Sequence, residues 1–195
     1  MHGLVNRALQ GFLTDTYGQE TWAEVASHAG VPEGGFESML VYEDRLTTAT
    51  IEAAAALLHK DQHALLEDLG TYLLSHPNQE RLRRLMRFGG DSFRDFLLSL
   101  EDLTGRAQLA LPDLDMPVMR LRQEDIRHFV LDLDWRLPGV GPVFLGALRA
   151  MADDYGTLAF FTAQEGQDGK ERIAIELVDT AFATGRSFSL AEGMR

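Results

Sequence analysis

The spacing of apolar residues along this chain changes once, at Pro117. Before it they recur every three or four positions, the repeat of a helix with one buried face; after it they alternate, the repeat of a half-buried strand. Helices first and strands later, with one helical stretch among the strands, predict an α+β protein with an antiparallel sheet rather than a parallel α/β one. A chain of 195 residues, 45% hydrophobic and 25% charged, has enough length for one sizeable core. One domain over residues 1–183 is expected, helical over residues 1–108 and sheet-forming over residues 109–183, with 184–195 as a tail.

Punctuation residues place the helices. Val5, Leu9, Phe12 and Leu13 mark a first helix ended by Tyr17-Gly18, and Trp22, Val25 and Ala26 mark a second from Gln19 to Ala29 with Gly30 as its stop. Thr47 or Thr48 is the expected cap of a third, through Ala53 to Leu58. Asp61 caps a fourth, through Leu65, Leu66, Leu69 and Leu73, which ends before Pro77. A short helix opens at Asn78, with Leu82, Leu85 and Met86 expected inward and Arg81, Arg83, Arg84 and Arg87 outward.

The next helix carries the unusual residue. Phe93, Phe96, Leu97, Leu100 and Leu103 form an apolar stripe on a helix that Asp91 can cap and Gly105 can stop. Thr104 lies seven residues beyond Leu97 and four beyond Leu100, so it shares their face. A threonine there is expected to bond back to the Leu100 carbonyl.

Beyond Pro117, Phe129, Leu131, Leu133, Trp135 and Leu137 alternate with polar positions and predict a strand from His128 to Leu137. Pro142 suits the first turn of an apolar helix that runs to Gly156. Strands at Thr157–Gln164 and Arg172–Phe182 flank Gln167-Asp168-Gly169 and read as a hairpin.

The helix just described, followed by Leu111-Pro112-Asp113-Leu114 and Pro117, resembles the proximal helix of H-NOX domains, the haem nitric-oxide/oxygen binding family. The opening MHGLVNRALQGFLTDTYGQETWAEVASHAGV, the stretch HALLEDLGTYLLSHP and the segment before Tyr155-Gly156 are also similar to that family. The resemblance implies a helical N-terminal region packed on a four-stranded antiparallel sheet with one helix. It also implies a non-catalytic sensor module that signals to a partner such as a histidine kinase or a cyclic-dinucleotide enzyme. Family members hold haem through a histidine at the end of the proximal helix, and Thr104 stands there. Pro117 matches a proline that touches the macrocycle, Met1 to Val5 lie over the distal face, and Leu4, Leu97 and Leu100 are expected pocket walls. The propionate-holding signature Y-x-S-x-R falls on Asp132, Asp134 and Arg136, so two of its three side chains are carboxylates. A propionate about 4 Å from an aspartate meets repulsion of roughly 4 kcal/mol at an effective dielectric of ~20.

The expected occupant is therefore haem held weakly, or another apolar molecule such as a fatty acid or a tetrapyrrole. The alternatives are a haem gas sensor with an unexpected axial ligand, for which His2, His28, His59, His63, His76 and His128 are candidates and Met116, Met119 and Tyr17 weaker ones, and a structural protein-interaction domain. The net charge of −12 and the absence of cysteine exclude a phosphate-backbone partner and any thiolate metal or haem site. No stretch reaches the length of a bilayer span, and a cytoplasmic location is expected. His59 and His63 are four apart, but the Lys60-Asp61 junction is expected to interrupt their helix. Gly141 and Gly146 are spaced as in a phosphate-binding loop whose lysine is replaced by Ala147.

Overall fold

A computed structural model describes residues 1–165 and 170–178. The turn at 167–169, the end of the last expected strand and the tail 184–195 lie outside the described residues. The helices are α1 (Gly3–Tyr17), α2 (Gln19–Ala29), α3 (Asp44–Leu58), α4 (Gln62–Ser75), α5 (Glu80–Arg87), α6 (Phe93–Leu98), α7 (Leu103–Ala110) and α8 (Val140–Asp154). The strands are β1 (Val118–Gln123), β2 (His128–Asp134), β3 (Ala159–Glu165) and β4 (Glu171–Leu177). They form one four-stranded sheet in the order β1-β2-β4-β3, with every neighbouring pair antiparallel. This is the expected α+β architecture.

Two apolar clusters fill it. One joins Leu9, Phe12, Leu13, Trp22, Val25 and Phe36 to the α4 residues Leu65, Leu66, Leu69 and Tyr72. The other joins the α6 face to the sheet residues Phe129, Leu131, Leu133, Ile173 and Ile175, and to α8. Helix α4 contributes to both, through Tyr72 on one side and Leu74 on the other. It crosses α8 at two glycines. A Cβ on Gly70 would strike the Val143 carbonyl, and one on Gly146 would strike that of Glu67, so neither position has room for a side chain. Gly146 is thus a packing glycine and belongs to no phosphate loop.

Several local expectations change. Helix α3 starts at Asp44, three residues before Thr47, whose buried hydroxyl instead donates to Asn6 Oδ1 at 2.7 Å. Leu85 faces outward, because the inward face of α5 is taken by Leu82 and Met86. His59 ends α3 in the left-handed region, with φ of 50°, and Asp61 caps α4, so His59 and His63 lie on either side of a helix break.

Candidate functional site

The stretch from Asp91 to Pro117 is two helices, not one. Ser92 rather than Asp91 caps α6: its hydroxyl accepts from the Asp95 backbone N–H at 3.1 Å, and the Asp95 carboxylate accepts from the Ser92 N–H in return. A 3-10 turn at Leu100–Asp102 then tightens the path, and α7 runs on through Gly105 to Ala110. Nothing lies within 4 Å of where a Gly105 Cβ would be, so this glycine is open helix surface rather than a stop. Despite the tightened turn, Phe93, Phe96, Leu97, Leu100 and Leu103 all remain buried.

Thr104 is half-buried in the first turn of α7. Its hydroxyl donates to the carbonyl oxygen of Pro117 at 3.0 Å, and not to Leu100. The bond ties α7 to the segment that leads into β1. Pro117 is itself buried. Leu97 and Leu100, with 0% and 2% of their surface exposed, are packed in the sheet-side cluster. Leu4 is half-buried on α1 and Met1 is buried, its backbone nitrogen donating to Asp44 Oδ1 at 2.7 Å.

The three positions of the expected propionate clamp have separate partners. Strand β2 ends at Asp134, short of the expected Leu137, and the chain then turns so that Trp135 Nε1 donates to Asp115 Oδ2 at 3.0 Å. Arg136 reaches the same carboxylate with Nε at 2.5 Å and pairs through Nη1 with Asp44 at the start of α3. Asp132 lies opposite Arg172 in the β2–β4 ladder and accepts from its Nε at 2.6 Å, with Arg122 Nε at 3.3 Å on the other side. Burial works to raise the Asp132 pKa, but the hydrogen bond and charge of Arg172 and the charge of Arg122 bring it below the ordinary carboxylate value. Asp134 pairs with Lys170 at 3.2 Å.

Three of the histidines are likewise engaged through their rings. His2 Nδ1 caps α1 by accepting from Leu4 N–H at 3.2 Å, His28 Nδ1 lies 2.8 Å from the Glu24 carbonyl, and His128 Nδ1 lies 2.7 Å from Asp125. Among the described residues no three His, Cys, Asp or Glu side chains converge as a metal site. Asp44, Asp115 and Arg172 are not legible as site residues in the sequence, because each reaches its partner across twenty or more residues of chain.

Comparison with known proteins identifies the frame around these contacts. The sequence pattern described as Haem-NO-binding matches residues 2–159. The chain belongs to the haem-NO-binding, or H-NOX, family. Soluble guanylate cyclase 89Db of Drosophila melanogaster is 21% identical over 155 residues, covering 80% of this chain and 23% of that protein. Soluble guanylate cyclase gcy-31 of Caenorhabditis elegans is 24% identical over 117 residues, covering 60% and 17%. This chain therefore spans about a quarter or less of the length of the curated relatives it matches. Among solved structures, the Fe(II) unliganded H-NOX protein from K. algicida superposes with a TM-score of 0.80 at 13% identity, over 93% of this chain and 99% of that one. The S. oneidensis H-NOX protein in the Fe(II)NO state gives 0.78 at 14% identity, over 92% and 100%. These likenesses show the fold. Among the described residues no helix is long and apolar enough to cross a membrane.

The residues expected at the haem-holding positions are engaged within the protein. The Thr104 hydroxyl, at the position where the axial ligand is expected, is committed to the Pro117 carbonyl, and Arg136, expected in the propionate clamp, is shared by two protein carboxylates. Asp132 and Asp134, at the two other expected clamp positions, are already paired with Arg172 and Lys170.

Proposed function

We propose that this chain is a non-catalytic H-NOX module that works without haem and signals through a partner protein. The observation that carries this reading is the Thr104–Pro117 hydrogen bond at the axial position. Neutral hydroxyls are poor axial ligands beside imidazole, thiolate, thioether or phenolate, and this one is already used to close the fold. Arg136 supports the same reading. In place of propionates it holds Asp44 from the helical region and Asp115 from the approach to the sheet, so the protein supplies both carboxylates itself.

Leu97 and Leu100 are packed against the sheet, so a fatty acid or a tetrapyrrole lodged against them would have to part α6 and the following turn from it. In this reading the chain's own side chains take that place. A signalling enzyme is the partner class, since the matching segments of the curated relatives lie within proteins named as guanylate cyclases. The test is the absorption spectrum of the protein purified from haem-supplemented cells and after addition of haemin. No stoichiometric Soret band is expected. A stoichiometric band with the spectrum of a histidine-ligated ferrous complex overturns the reading.

A further inference from the structure

Helix α5 gathers cations within an otherwise acidic chain. Four of the 18 Lys and Arg side chains, Arg81, Arg83, Arg84 and Arg87, fall on α5 against a net charge of −12 for the whole. Arg81, Arg84 and Leu85, with Phe88 just past the last turn, share one helical face at spacings of three, four and seven. That face is open: Leu85 is 56% and Phe88 75% exposed. Leu82 and Met86, on the other side, pack on the core. Arg84 is paired with Glu80 at 2.5 Å, while no carboxylate among the described residues pairs with Arg81 or Arg83. Arginine and an aromatic side by side on a helix is the composition of an energetic centre in protein interfaces, and both large apolar side chains are mostly open to solvent.

We propose that this face docks a helical segment of a partner protein in which carboxylates flank an apolar side chain. Leu85 and Phe88 would receive the apolar group, and Arg81 and Arg84 the carboxylates. Charge selects this occupant. A second copy of the chain or an anionic membrane would bring its whole negative field against a body of −12, whereas a short acidic segment need approach α5 alone. The face is also wired to the candidate site. The Arg87 guanidinium lies 3.9 Å above the Tyr155 ring, and Tyr155 donates from its hydroxyl to the Gly90 carbonyl at 2.9 Å. The same ring sits 6.1 Å from Phe93 and 6.0 Å from Phe96, on the helix that leads to Thr104.

This inference rests on the signalling reading above for its meaning, but its test is separate from the haem spectrum. The probe is a labelled synthetic amphipathic peptide with glutamates beside a leucine and tryptophan stripe, followed by fluorescence anisotropy against the full chain. A control peptide carries lysine in place of each glutamate. Saturable binding of the acidic peptide only is expected, weakened about tenfold or more by Arg81→Glu with Arg84→Glu and about tenfold by Phe88→Ala, and unchanged by Arg7→Glu on α1. Arg81→Glu alone, at an exposed position, keeps the test open should the double variant fold poorly. Absence of saturable binding, or equal binding by the variants, overturns the proposal. So does a dimer in sedimentation equilibrium that Phe88→Ala abolishes, which would make a second copy the occupant. Co-sedimentation with phosphatidylserine vesicles that is lost in the same variants, without peptide binding, assigns the face to lipid and overturns it as well.

Discussion

Gly70 on α4 and Gly146 on α8 face each other's helices across a backbone contact that leaves no space for a methyl group on either. The obstructing atoms are main-chain carbonyls, which cannot swing aside as a side-chain tip can. Gly146→Ala and Gly70→Ala should each cost about 1–3 kcal/mol of stability in denaturant melts, through forced separation of the helices. Their effects should not add, since either one opens the same crossing. Gly105→Ala is the control: open helix surface predicts no loss and a gain of up to about 1 kcal/mol. Equal effects at Gly105 and Gly146 would contradict the crossing.

The Arg136 contacts join α3 to the chain beyond β2, so their removal should loosen that junction more than the fold. Arg136 is 43% exposed and Asp115 41%, and solvent screening therefore limits what the pairs contribute. Arg136→Ala should lower stability by about 1 kcal/mol, and by less at high salt. Amide exchange should rise at the start of α3 and around Asp115 while the sheet stays protected. A uniform rise across the protein would show that no local junction was cut.

Asp132 gives a pH dependence of definite sign. Its folded pKa lies below the ordinary value of 3.8, which Arg172 and Arg122 bring about against burial. The stability it contributes is therefore complete above that value and is lost as pH falls through the lower folded one. Asp132→Asn should destabilise the protein near neutral pH, and the gap between variant and parent should close on acidification below about pH 4. A gap that widens toward acid would reverse the assigned direction.

Where a boundary is set by local chemistry, the sequence shows it. Helix α2 ends where Gly30 takes the left-handed region, and α4 begins where the Asp61 carboxylate accepts from His63 and Ala64. Strand β1 is not legible because it is short and at the sheet edge, with Arg120 and Arg122 leaving Met119 and Leu121 as its only alternation. The break between α6 and α7 is hidden for another reason: a stripe at 93, 96, 97, 100 and 103 stays on one side whether the turn at Leu100 is α or 3-10. At the site, spacing puts Thr104 on the face of Leu97 and Leu100, but its partner Pro117 depends on how the chain returns over the thirteen residues that separate them. The same is true of Arg136, whose two carboxylates arrive from α3 and from the loop before β1.

The position of Thr104 permits a direct reversal. Thr104→Val removes the donor to Pro117 and should cost about 0.5–1.5 kcal/mol without conferring haem binding. Thr104→His, by contrast, places an imidazole where the resemblance puts the axial ligand, and Asp132→Tyr with Asp134→Ser replaces the carboxylates at the expected propionate positions. The cost is that Arg172, Arg122 and Lys170 lose their partners, so this triple variant should be less stable than its parent. If the fold retains its ligand geometry, the reduced triple variant mixed with haemin should show a Soret band that shifts on adding carbon monoxide. Thr104→His alone should show less, and the unaltered chain none. A triple variant that folds by circular dichroism yet takes up no haem would mean that the packing of Leu97 and Leu100, rather than the missing ligand, is what excludes it.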